Sequence, residues 1–198
     1  MLVDLLRHGE PEGGERLRGS CDDALSPNGW AQMYRAVGTS PPWERIVSSP
    51  LRRCSAFARE LAARHGLPLV LDDRLREMHF GDWDGRATAE LLRREPDRVS
   101  RFWHDPVANP PPGAEPFGRF RDRVLDAWAS LSAQSSQSHH LIILHGGPMR
   151  AILGHVLELR PHTLARLEAP HAAISRIRLS IDSAGQVATS LVFHAGRL

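Results

Sequence analysis

Apolar and polar positions along the chain follow two rhythms. Short apolar runs recur at 2–7, 44–49, 67–73, 140–145, 173–181 and 187–194. Runs of this length, bounded by turn residues, predict strands. Between them, apolar residues return every three or four positions. Ser26-Pro27 reads as an N-cap and first-turn proline opening a helix to about Val37. Ser49-Pro50 reads the same way, and Leu51, Cys54, Ala58, Leu61, Ala62 and His65 then trace one helical face. Two helical stretches are predicted over 86–104. Another spans 117–132, with Phe120, Val124, Leu125, Trp128 and Leu131 on its apolar side. Pro148, read as a first-turn residue, predicts a helix to about Leu157. The last two strands flank the turn Asp182-Ser183-Ala184-Gly185.

Strands alternating with helices predict an α/β fold, three layers α/β/α around a mostly parallel sheet. Residues 80–137 hold helical stretches but no clear strand and predict a helical cap insertion over the sheet edge. At 198 residues the whole chain, 1–198, is expected to form a single domain. Ligands in such sheets bind outside the carboxyl ends of the strands. Two runs end there on the same pattern, Arg7-His8-Gly9-Glu10 and His145-Gly146-Gly147-Pro148.

Composition narrows the classes of function. An apolar content of 41% and a charged content of 24% fit an ordinary soluble globular chain. The net charge of +2 is too small to demand a polyanion, and no basic tract is interleaved with aromatics, so nucleic acid is not an expected partner. All 25 basic residues are Arg, a residue suited to bidentate contact with phosphate or carboxylate. Cys21 and Cys54 lack metal-ligand spacing and read as free thiols. No stretch has the length of a membrane span or the form of a secretory leader, so a cytoplasmic chain without a membrane partner is expected. Oligomeric state is left open, and a homo-oligomer is compatible with the pattern.

Four places carry candidate chemistry, and each has a plain structural reading beside the functional one. His8 could cap a loop; it could equally offer a neutral imidazole lone pair to an electrophile, with Gly9 keeping bulk from the approach path. Arg52 and Arg53 oppose the dipole of the helix they open, unless an anion binds there. Glu77, His79, Asp82 and Asp84 surround Phe80 and Trp83; the aromatics could raise a carboxyl pKa toward general-acid use, and the spacing does not choose which. His145 precedes a helix start whose glycine amides are open to an oxyanion. No second His or carboxylate stands at i, i+4 from His145, so neither metal nor cofactor is expected. Together, two His, two Arg and a carboxylate suit phosphoryl transfer through a phosphohistidine, with guanidinium groups neutralising the phosphoryl charge.

These motifs resemble those of the histidine phosphatase (phosphoglycerate mutase-like) superfamily, in order and over nearly the whole chain. The resemblance implies a phosphorylated His8, a second arginine at Arg53 within Ser49-Pro50-Leu51-Arg52-Arg53, a proton donor at Glu77 and a second histidine at His145. It also implies phosphoryl binding by Arg7, Arg53, His145 and Gly146. Arg18-Gly19, Asp22-Asp23, Leu25-Ser26 and Pro112-Gly113-Ala114-Glu115 resemble α-ribazole phosphatase-type members. A small phosphomonoester is the implied partner, α-ribazole 5′-phosphate of cobalamin biosynthesis among the implied substrates. The alternatives are a phosphoglycerate mutase and a non-catalytic binding protein on the same fold. Gly14, Phe57, Asp84, Ala114 and Pro116 depart from the usual pattern; Ala114 and Pro116, in the expected substrate-capping loop, bear on substrate more than on chemistry.

Overall fold

The computed structural model describes residues 1–39, 42–133, 138–181 and 187–196. The turn expected at 182–185 and most of the polar loop at 132–138 lie outside the described residues. Six strands form one mixed sheet: β1 (Leu2–Arg7), β2 (Arg45–Ser48), β3 (Leu69–Leu71), β4 (His139–Leu144), β5 (Ile174–Ile181) and β6 (Val187–Gly196). Their order is β3-β2-β4-β1-β5-β6. The first four run parallel, whereas β5 is antiparallel to β1 and β6 to β5.

Helices cover both faces, which is why β1 and β4 read as nearly unbroken apolar runs. On one side α1 (Pro27–Val37) and α2 (Arg52–His65) pack on Leu6, Ile46, Leu141 and Ile143. On the other, Val3, Leu5, Ile142 and Leu144 meet α3 (Thr88–Arg94), α4 (Pro96–His104), α5 (Phe117–Ser132) and α6 (Gly146–Val156) in one core. The two sets alternate along each strand, as the pleat requires.

Several sequence expectations are redrawn. The insertion at 80–137 is not wholly an edge cap: α5 buries Phe120, Val124, Ala127, Trp128 and Leu131 in the same core as Val3 and Leu5. Leu125 stays half-buried and Ala127 takes its expected place. Ser26 caps α1 as expected, accepting from the Gly29 amide at 3.0 Å. Ser49 does not cap α2. The N-cap is Leu51, and the Ser49 hydroxyl is drawn to His145 instead. Helix α6 opens two residues before Pro148, at Gly146, so Pro148 sits third, where a missing N–H is still harmless. Cys21 and Cys54 are both free. Among the described residues no helix is long and apolar enough to cross a membrane.

Candidate active site

Strand register alone brings the two histidines together. β1 and β4 pair in parallel with Arg7 opposite Leu144, so the next residues, His8 and His145, leave the sheet side by side. The His8 amide donates to the Leu144 carbonyl at 2.9 Å, and the imidazole centroids lie 5.1 Å apart, edge to face. His8 Nδ1 stands 2.7 Å from the Gly9 carbonyl. A carbonyl only accepts, so Nδ1 carries the proton and Nε2 keeps its lone pair. Burial, then the charges of Arg7 and Arg53, push the His8 pKa well below the ordinary histidine range. His8 is therefore a neutral imidazole with a free nitrogen.

His145 is the N-cap of α6 and has no exposed surface. Its Nδ1 accepts from Arg53 Nε at 3.2 Å, so its Nε2 carries the proton and donates to Ser49 Oγ at 2.8 Å. Burial, followed by Arg53 and His8, keeps this ring neutral too. Arg53 is equally buried. Its Nη1 donates to the Cys21 carbonyl, and its Nη2 to the carbonyls of Arg18 and Gly19 at 3.2 and 3.1 Å. Most of this fork is thus satisfied by main chain. The loop presenting those carbonyls is gripped from behind by Asp84. Its carboxylate accepts from the Gly19, Ser20 and Cys21 amides and the Ser20 hydroxyl at 2.8–3.4 Å. Burial opposes the Asp84 charge, but these hydrogen bonds outweigh it and hold its pKa low. The anion expected at the start of α2 is Asp22, whose Oδ1 accepts from the Arg52 amide at 2.6 Å. The Arg52 side chain is exposed.

A cavity of about 520 Å³ opens beside this pair. Arg7, His8, Glu77, Gly146, Gly147 and Arg150 are among its lining residues, whereas His145 and Arg53, which have no exposed surface, are not. Of the four groups around Trp83, only Glu77 borders the cavity. Glu77 Oε2 accepts from the Gly147 amide at 3.0 Å and Oε1 from the Met78 amide at 2.9 Å. The segment carrying it is anchored by Arg123 of α5. That guanidinium donates to the carbonyls of Arg74, Arg76 and Glu77 at 2.7–3.0 Å and pairs with Glu115 at 2.8 Å. Arg7 donates through Nη1 to the Ala169 carbonyl, but its buried Nε has no acceptor among the described residues. Burial lowers the Arg7 pKa to about 10, partly offset by Glu77. The group remains a cation at neutral pH.

Sequence reading takes Ser49 for a helix cap within the second-arginine motif and gives Asp22, Arg123, Arg150 and His171 no role of their own in the site. The His171 ring lies 5.7 Å from that of His8, and burial followed by Arg7 pushes its pKa down to about 4. Ser49 stands in a Ser-Pro signal and Arg150 in HGGPMR, just beyond His145, but no local pattern ties Asp22, Arg123 or His171 to the site. Among the described residues no cluster of three or more His, Cys, Asp or Glu could hold a metal ion. The arrangement can supply a neutral nucleophile, a carboxyl on the same cavity wall, an unpaired guanidinium nitrogen and the positive end of a helix, all at one point.

Known proteins share this fold. A bifunctional protein of Mycobacterium tuberculosis is 31% identical over 195 residues, covering 92% of this chain and 51% of that one. The chain thus spans about half the length of the first curated relatives it matches. Glucosyl-3-phosphoglycerate phosphatase of Mycolicibacterium vanbaalenii is 33% identical over 166 residues, covering 78% of this chain and 73% of that one. The structure of a mycobacterial glucosyl-3-phosphoglycerate phosphatase complexed with VO3 superposes with a TM-score of 0.84 at 28% identity, covering 97% of each chain. The α-ribazole phosphatase of Shigella flexneri shares the fold, with a TM-score of 0.80 at 23% identity over 100% of this chain and 97% of that one. The family description for the histidine phosphatase superfamily (branch 1) matches residues 3–191, and the chain belongs to that superfamily.

Proposed function

We propose that the protein is a phosphomonoesterase that transfers the phosphoryl group of a small ester to His8 and then to water, with no metal in the transfer. The observation that carries the reading is the lining of the cavity: His8, Glu77, Arg7 with its buried and unpartnered Nε, and the first two residues of α6 all contribute to it. His8 Nε2 attacks phosphorus, the P–O ester bond breaks, and the Glu77 carboxyl gives its proton to the departing alkoxide. The Glu77 carboxylate then takes a proton from water, which attacks phosphorus. The P–N bond breaks, its electron pair returns to Nε2, and orthophosphate is released. Arg7 and the Gly146 amide bind the phosphoryl oxygens. Arg53 and His145 work from behind His8, holding a positive field and a fixed ring geometry against it. Phosphoryl contact by Arg53 and His145, implied by the resemblance, would have them exchange some of their present hydrogen bonds for it.

The test is a radiolabelled ester quenched by denaturation at alkaline pH. Label is expected on His8 and absent from His8→Ala; label retained by His8→Ala removes the assignment. Glu77→Gln should slow alkyl esters by about 10²–10⁴ and an activated aryl ester much less. Equal slowing of both would take Glu77 out of the acid role. α-Ribazole 5′-phosphate, glucosyl-3-phosphoglycerate, sugar phosphates and phosphoglycerates form the panel of natural esters for the same assay.

A further inference from the structure

The cavity is far larger than a phosphoryl group needs and falls in the range that takes whole small-molecule ligands. Beside the catalytic residues, the lining includes Met78, Phe80, Phe102, Trp103, Phe117 and Phe120. The rings are braced in two groups. Phe80 and Phe102 meet at 6.1 Å between centroids, Phe102 and Trp103 at 5.0 Å, and Phe117 and Phe120 at 5.9 Å. Phe102 and Phe120 are buried, so the wall is set before any ligand arrives, yet Trp103 is left 43% exposed. Its open face offers apolar contact area to a ligand in the cavity. Much of the charged lining is already engaged: Glu10 accepts from Ser26 and Asn28, Arg16 donates to the Gly13 carbonyl, and Arg18 donates to Asp23 and the Glu12 carbonyl. A polyhydroxylated alcohol laid against the aromatic rings would lose hydration and gain no hydrogen bonds from them, whereas a flat apolar body would gain contact and lose little.

Resting on the phosphomonoesterase reading above, we infer that the leaving alcohol carries an aromatic or similarly flat apolar body, which stacks in the chamber formed by Trp103, Phe117 and their neighbours. Trp103 and Phe117 are then specificity-determining residues rather than catalytic ones.

The test uses esters that share a primary alkoxide leaving group and differ only in the tail: 2-(2-naphthyl)ethyl phosphate, ethyl phosphate, glycerol 3-phosphate and 3-phosphoglycerate. The naphthyl ester should exceed each of the others in kcat/KM by at least about tenfold, mostly through KM. Trp103→Ala and Phe117→Ala should each cut the naphthyl-to-ethyl ratio by about three- to tenfold. A naphthyl-to-glycerol ratio near one, or a ratio that neither variant moves, overturns the inference and leaves the phosphatase reading standing. If no ester is hydrolysed, the phosphatase reading fails, and calorimetry with 2-(2-naphthyl)ethylphosphonate and ethylphosphonate decides the inference alone. Tighter binding of the naphthyl compound supports the chamber, and equal binding refutes it.

Discussion

Gly147→Ala isolates the contact that places Glu77. Gly147 is the second residue of α6, an ordinary helical position, where alanine is by itself about 1 kcal/mol more favourable than glycine. Its missing side chain is required by proximity, not by backbone angle. A Cβ there would stand 3.1 Å from Glu77 Cδ and 3.1 Å from Phe120 Cζ, with Oε1 closer still, inside any real contact. Phe120 is packed in the core, so the carboxyl must yield. Restoring ordinary carbon–carbon separations of about 3.5–4.0 Å moves it by roughly 1 Å, and the Gly147 N–H bond to Oε2 at 3.0 Å is stretched or lost. A misplacement of this size costs about 10² in rate when the group must meet a leaving oxygen. The assay compares kcat/KM for ethyl phosphate and p-nitrophenyl phosphate, beside a thermal melt. The alkyl ester should slow about a hundredfold and the aryl ester less than tenfold, with Tm unchanged or raised. Full activity toward the alkyl ester would show that Glu77 is not placed by this contact. Equal losses would show that the substitution damages the phosphoryl site rather than the acid.

Other perturbations test separate links. Asp84→Asn turns an acceptor of four hydrogen bonds into a group that faces some of those donors with its own N–H; kcat should fall at least tenfold as Arg53 loses its carbonyl cradle, and an unchanged kcat would show that the cradle does not matter. Burial opposes ionisation of Asp4 in β1, but hydrogen bonds from Arg176, His139 and Trp43 outweigh it and lower its pKa. Its contribution is complete above about pH 4 and lost as pH falls through the lowered folded value, so Asp4→Asn should cost about 3 kcal/mol in denaturation at pH 7 and progressively less as pH falls below about 4. His8 and His145 titrate in the opposite sense: their folded pKa values lie below the unfolded one, so the unfolded chain binds more protons as pH drops. Stability should fall by about 2 kcal/mol per histidine between pH 7 and pH 5, and urea midpoints that are level across this window would contradict their buried neutral state. Orthophosphate at about 100 times its Kd should stabilise the fold by about 2.7 kcal/mol through the cationic end of the cavity, an effect absent with chloride at matched ionic strength.

What the sequence disclosed and what it hid divide along a physical line. β1 and β4 were legible because each is buried on both faces, and the histidines at their ends followed from the parallel register. Ser26 was legible because its cap is local, three residues from its donor. Ser49 presents the same Ser-Pro signal, but its hydroxyl serves a histidine 96 positions away. Arg53 was legible as an oddity of charge at a helix start, not as a fork engaged by the carbonyls of residues 18–21. The grip of Arg123 on the segment of Glu77, the Asp22 carboxylate at the start of α2 and the aromatic chamber are all set by tertiary packing between distant segments. Spacing along the chain carries no trace of such pairings.

The two central arginines divide one task. Burying a guanidinium is costly unless its donors are met. Arg53 meets the cost with main-chain carbonyls, so its field on His8 and His145 exists before any ester arrives. Burial and the neighbouring guanidinium charges keep both imidazoles neutral, as the proposed nucleophile requires. Arg7 leaves the cost partly unresolved: its Nε is buried without an acceptor and its pKa is drawn down to about 10. In the proposed reaction a phosphoryl oxygen would accept from that Nε and meet its unsatisfied donor. Under that reading, preorganised charge in Arg53 and free hydrogen-bonding capacity in Arg7 would favour transfer by different routes. Exchanging their environments, not merely their side chains, would be needed to exchange their roles.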